Sequence, residues 1–85
     1  SEILLPIHHT FVSKSERLTD IKYIYSREIA FKQCRNFLAE YFKDGGTEFV
    51  PIESTSKAAK LASEEPNSAA ICSSVAAKIY QVPML

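Results

Sequence analysis

Three times along its 85 residues this chain runs from a short apolar segment, through a hydroxyl-bearing residue, into a helical pattern. Ile21, Tyr23, Ile24 and Tyr25 form a β-branched and aromatic run that stops at Ser26. Ala30, Cys34, Phe37, Leu38 and Tyr41 then recur on one helical face, opposite Glu28, Lys32, Arg35, Glu40 and Lys43. Glu28 precedes Lys32 by four residues, the favourable orientation for a helical ion pair, and Gly45-Gly46 predicts a left-handed stop after the last turn. Phe49, Val50 and Ile52 open the second unit. Ser54-Thr55 cap its helix, which carries Ala58, Ala59, Leu61 and Ala62 and ends at the Pro66-Asn67 turn. In the third, Ala69, Ala70 and Ile71 make a small buried strand, Ser73-Ser74 begin a helix through Val75, Ala76 and Ile79, and Val82-Pro83 ends it. Ahead of all three, Ile3, Leu4, Leu5, Ile7, Phe11 and Val12 form an extended apolar stretch interrupted by Pro6, which suits a long strand at a sheet edge. Successive strand-to-helix units joined by right-handed crossovers imply an α/β fold: a three-layer unit with a mostly parallel sheet of about four strands and three helices.

Size and charge narrow the function classes. A chain with 46% hydrophobic residues and this length supports one small unit, burying about 60 to 65% of its unfolded surface. Ten basic residues balance ten acidic ones, so no net field draws the chain to nucleic acid or to an anionic membrane. The apolar runs are too short to span a bilayer and Ser1-Glu2-Ile3 does not resemble a signal peptide, so a soluble, cytoplasmic protein is expected. Cys34 and Cys72 lack the close-spaced partners of a zinc site and read as buried thiols. His8 and His9, as neighbours on a strand, point to opposite faces and do not share one ion, so no metal is expected.

The chemistry gathers at the strand-to-helix junctions. In a parallel sheet these fall on one carboxyl edge, and here they carry Ser26, Ser54-Thr55-Ser56 and Ser73-Ser74. Helix N-termini with free N–H groups beside hydroxyl donors suit a small carboxylated or phosphorylated ligand, although Ser and Thr also serve simply as helix caps. No Walker or dinucleotide glycine loop follows a strand, strand-end aspartates of a receiver domain are missing, and Ser-His-Asp catalysis has support in composition only. Spacing alone names no reaction.

The residues themselves resemble a family. Asp20-Ile21-Lys22-Tyr23-Ile24-Tyr25-Ser26, leading into Gln33-Cys34-Arg35-Asn36-Phe37-Leu38, is similar to the prephenate dehydratase segment in which Val-Tyr-Ser-His-Pro-Gln-Ala-Leu precedes Gln-Cys and Phe-Leu. Glu2 and Pro6-Ile7-His8-His9 resemble its Glu and Ile-x-His strand. Glu53-Ser54-Thr55-Ser56-Lys57-Ala58-Ala59 resembles its Ser-Thr-x-x-Ala-Ala helix start, and Ala69-Ala70-Ile71-Cys72-Ser73 with Ala76-Ala77 and Tyr80 its Ala-Ala-Ile-x-Ser, Ala-Ala and Tyr. The resemblance implies a two-lobed fold like that of periplasmic binding proteins of type II. Residues 1–85 would form one lobe, facing a first lobe that these residues do not include, with prephenate between the two. Ser26, Arg27, Gln33, Ser54, Thr55 and Ser73 are the substrate-binding candidates, as contacts or as supports of the cleft. No cofactor is implied, and a homodimer of the parent enzyme is among the assemblies left open. The family reaction, loss of carbon dioxide and hydroxide, draws on a Thr-Arg-Phe motif that the 85 residues lack, so no catalytic residue is assigned and the lobe alone is expected to be inactive. Arg27-Glu28-Ile29 stand where the family commonly has His-Pro-Gln, placing an apolar side chain where an amide is usual. A non-catalytic anion-binding lobe, or a degenerate relative, is the alternative.

Overall fold

The computed structural model describes residues 5, 9–43 and 45–84, and Glu2, Ile3, Leu4, Pro6, Ile7 and His8, on which part of the expected first strand rests, lie outside the described residues. The chain order is β1 (Thr10–Ser13), β2 (Tyr23–Ser26), α1 (Glu28–Gln33), α2 (Arg35–Tyr41), β3 (Glu48–Pro51), α3 (Thr55–Glu64), β4 (Ser68–Cys72) and α4 (Ser74–Ile79), with a 3-10 turn at Leu18–Asp20. One four-stranded sheet has the order β1-β4-β2-β3. β2 pairs parallel with both β4 and β3, while β1 runs antiparallel to β4. The expected three-layer, mostly parallel α/β unit is therefore present.

Strand alternation divides the interior in two. Val12, Tyr25, Ala70 and Cys72 face α3 and α4, where Ala58, Ala59, Ala62, Ala76 and Ala77 meet them. Phe11, Ile24, Ala69 and Ile71 face the opposite way, onto Ala30, Cys34, Leu38 and Phe42 of the α1–α2 layer. Aromatic pairs anchor that layer from both edge strands of the sheet. Phe11 of β1 meets Phe37 at 5.3 Å and Phe42 at 5.9 Å between ring centroids, and Phe49 of β3 stacks on Phe31 at 5.8 Å.

Several local expectations change. The helix over residues 28–41 is bent at Cys34, where φ −102° and ψ 18° separate α1 from α2. The hydrogen-bond ladder crosses the bend, from Cys34 N to Ala30 O (2.9 Å) and from Leu38 N to Cys34 O (3.1 Å), so the two pieces act as one curved helix. That helix ends at Tyr41 with Phe42 as its C-cap, so Gly45, although its φ is +80°, turns the loop beyond the helix rather than supplying its left-handed stop. Val75 and Ile79, read as part of the third apolar run, are each 65% exposed, because α4 buries its alanine face instead. After α4 the chain returns alongside β1: Ser13 N donates to Pro83 O at 2.9 Å, and Val12 bridges Met84.

Both thiols are buried, Cys34 on the α1–α2 side and Cys72 on the α3–α4 side. Burial pushes both thiol pKa values up, that of Cys72 to about 11. Burial, with the neighbouring Glu65 carboxylate adding to it, likewise pushes the Tyr25 hydroxyl up to about 12. A group whose pKa is higher in the folded state holds its proton better there, so the stability it contributes is complete below the unfolded value and is lost as pH rises through the folded one. For Cys72 the loss runs between about pH 9 and 11, and for Tyr25 between about pH 10 and 12. Melting temperature should therefore hold steady from about pH 7 to 8 and fall progressively above about pH 9. A flat profile up to about pH 11 would contradict this assignment of the buried protons.

Candidate functional site

Because β2, β3 and β4 are parallel, their C-terminal ends line one edge of the sheet, and α1, α3 and α4 all begin there. The six candidate residues take unlike positions along and behind this edge. Ser54 and Ser73 are the N-caps of α3 and α4: their Oγ atoms accept from Lys57 N and Ala76 N, each at 3.1 Å. Both have extended backbone, as an N-cap requires. Accepting through a lone pair leaves each hydroxyl hydrogen free to be donated to a ligand. Thr55, half-buried, is the first residue of α3 and stands beside Ser54 on the same rim.

Ser26 differs from the other junction serines. It is the last residue of β2 and fully buried, and its Oγ donates to Ile71 O at 2.7 Å, fastening β2 to the central strand. The N-cap position of α1 belongs to Arg27, which makes no side-chain capping bond. The reading of Ser26 as a helix cap is thus corrected: its hydroxyl is turned inward and spent on a backbone carbonyl, so only two of the three junctions present a capping serine. Ser26 N and O still serve the sheet, with Ile52 N donating to Ser26 O at 2.8 Å.

Arg27 is exposed, and no ion pair among the described residues engages its guanidinium. The two carboxylates nearest in sequence to the junctions each pair with a lysine one helical turn on, Glu28 with Lys32 at 3.9 Å and Glu53 with Lys57 at 3.5 Å. Both pairs are well exposed and weak in themselves. Their effect is to balance acidic charge locally, which leaves Arg27 as a cation beside the rim. Ile29, at 49% exposure, is an apolar side chain in the first turn of α1.

Gln33 ends α1, and its Oε1 lies 2.6 Å from Nε2 of His9. The sequence weighs His9 as a metal ligand and as part of the Ile-x-His strand of the family resemblance, and neither reading gives it a partner. The structure gives it another position: β1 is antiparallel to β4 and Thr10 opposes Cys72, so the residue just before β1 arrives at the same edge as Ser73. The signal lay in the direction of β1, which an apolar pattern does not carry. Among the described residues no group of three or more His, Cys, Asp or Glu side chains is placed to hold a metal ion, and His8 lies outside those residues. Nor is any helix of the described residues long and apolar enough to cross a membrane.

A small three-layer α/β unit with a polar carboxyl edge is the class of protein that this geometry defines. Comparison with known proteins gives it a family. The family model for prephenate dehydratase matches residues 1–85. The bifunctional chorismate mutase/prephenate dehydratase of Aquifex aeolicus is 32% identical over 84 residues, covering 99% of this chain and 23% of that protein. The prephenate dehydratase of Lactococcus lactis subsp. lactis is 33% identical, covering 100% of this chain and 30% of the relative. Among solved structures, prephenate dehydratase from Arthrobacter aurescens, determined in complex with L-Phe, superposes with a TM-score of 0.77 at 30% identity, covering 100% of this chain and 28% of that one. GqqA, described as a novel type of quorum quenching acylase, superposes at 0.78 with 23% identity, covering 93% of this chain and 29% of that one, and shows a shared fold alone. The chain belongs to the prephenate dehydratase family, a family of enzymes. It spans between about a fifth and a third of the length of these relatives.

The geometry separates what the serines do for stability. Ser26→Ala leaves the buried Ile71 carbonyl without its side-chain donor and should cost about 1 to 3 kcal/mol. Ser54→Ala and Ser73→Ala each remove one exposed or part-buried cap and should cost about 1 kcal/mol. Urea denaturation of the three variants checks the order, and a Ser26→Ala variant as stable as the wild type would show that the buried bond is dispensable.

Proposed function

We propose that the chain is one lobe of a prephenate dehydratase catalytic domain, and that its carboxyl edge forms one wall of the cleft where prephenate loses carbon dioxide and water to give phenylpyruvate. The observation that carries this reading is the family match across all 85 residues, on a fold whose edge gathers the residues that the family likeness singles out. Prephenate is a dianion with one hydroxyl. Arg27, the free hydroxyl hydrogens of Ser54 and Ser73, Thr55 and the Gln33 amide are donors suited to its carboxylates, and Arg27 adds the positive charge. Ser26 takes the supporting part, holding the rim from behind. In this reading the protein is a lyase of L-phenylalanine biosynthesis working in the cytoplasm, with the facing lobe of the same domain as its structural partner.

The 85 residues hold no Thr-Arg-Phe motif, so the reading assigns the step in which hydroxide departs to a segment outside them. The lobe taken alone should bind weakly and turn nothing over. With one wall of the cleft open to water, a dissociation constant in the millimolar range, roughly 4 kcal/mol of binding, is expected. Titrating the isotope-labelled chain with prephenate should move the amide resonances of Arg27, Ser54, Thr55 and Ser73 together with the Gln33 side chain. Phenylpyruvate should stay at the background level in the same sample. Shifts gathered instead at the opposite edge, around Lys14, Glu65 and Asn67, would move the binding face elsewhere. Phenylpyruvate above background would show that the lobe carries its own catalytic group.

A further inference from the structure

We infer that His9 is a positioning residue for Gln33, fixing its carboxamide so that the nitrogen, and not the oxygen, is offered to a carboxylate at the carboxyl edge. The identity of that carboxylate rests on the prephenate reading; the positioning does not. A glutamine amide offers an acceptor on one arm and two donor hydrogens on the other, and rotation about its last bond exchanges them. An exposed amide free to rotate would present carbonyl lone pairs to an anion about as readily as N–H groups. The 2.6 Å contact from His9 Nε2 to Gln33 Oε1 removes that ambiguity. Oε1 carries no hydrogen, so Nε2 is the donor. Both the neutral tautomer protonated at Nε2 and the imidazolium make the same bond. With the oxygen held by the ring, the amide nitrogen points away from it, and no hydrogen bond among the described residues engages that nitrogen.

The two side chains come from elements 24 residues apart, and each is placed by the sheet. His9 is delivered by the antiparallel pairing of Thr10 with Cys72, and Gln33 by α1, anchored through Ala30 and Cys34 to the core beneath it. Ordering the long glutamine side chain in advance reduces the rotamer entropy that a ligand would otherwise have to remove.

The test compares the 85-residue chain with its His9→Leu, His9→Gln and Gln33→Leu variants. In the wild type the Gln33 side-chain amide should be ordered in nuclear relaxation measurements. In His9→Leu it should become mobile, and in His9→Gln, whose amide nitrogen can occupy the place of Nε2, it should be ordered again. Backbone spectra show whether each variant keeps the fold. Prephenate affinity should fall roughly tenfold in His9→Leu, recover in His9→Gln, and fall no further when His9→Leu is added to Gln33→Leu. A Gln33 amide as mobile in the wild type as in His9→Leu, or losses from the two leucine variants that simply add, would overturn the inference. An amide that orders through His9 but ignores prephenate would uphold the positioning and sink the prephenate reading.

Discussion

Everything else in this molecule is arranged around the burial of β4. Ser68–Cys72 is the one strand of the sheet whose every residue is buried, flanked by β1 on one side and β2 on the other and covered on both faces. A strand so placed leaves no backbone group for water to satisfy, so each edge must be paired along its length. Its side chains must also leave room for a layer above and a layer below. Ala69, Ala70 and Cys72 meet that need by being small, and the alanine faces of α3 and α4 complete the close contact from one side. Three buried or half-buried serine hydroxyl bonds then secure the strand and its approach: Ser13 to Ser68 O, Ser26 to Ile71 O, and Ser68 to Glu65 O, at 2.6, 2.7 and 2.6 Å. No buried side-chain polar atom is left without a partner among the described residues.

This central strand also explains the unlike fates of residues that look alike in the sequence. Ser26, Ser54 and Ser73 each sit at the end of an apolar run before a helix, and the pattern treats them equally. β2 lies next to β4, and its last side chain turns toward the neighbouring strand, where the Ile71 carbonyl is within reach. β3 is an edge strand, and the chain leaves it through Ile52 and Glu53 before Ser54 starts α3, so Ser54 is at the rim. Ser73 follows β4 out of the sheet and turns back to cap α4. Position in the sheet order, which depends on contacts distant in sequence, decides which hydroxyl supports the structure and which remains available.

Much of the architecture was legible because its signals are local. Apolar runs with hydroxyl stops gave β2, β4 and the starts of α3 and α4, and a 3.6-residue spacing gave most of the face of α1–α2 that covers the sheet, although Tyr41, read on that face, is 53% exposed and Phe42 is buried instead. Features set by distant contacts were not. The interruption at Cys34 has no glycine or proline to announce it. Val75 and Ile79 are apolar yet exposed because the alanines beside them allow the closer approach to the sheet. The direction of β1 was hidden for the same reason, since strand alternation reads identically from either end.

That last ambiguity matters most for the site. Had β1 run parallel to β4, its N-terminal end would lie at the far edge of the sheet and His9 would be remote from every candidate residue. Antiparallel pairing reverses this, so the edge receives one residue that enters a strand as well as those that leave strands. Gln33 gains a fixed donor partner for its Oε1 only through that reversal. The rim therefore combines a hydroxyl pair set by helix capping, a cation whose acidic neighbours are already paired with lysines, and an amide oriented from across the sheet. Each comes from a different element, and the parallel core with its single antiparallel strand is what brings them to one side.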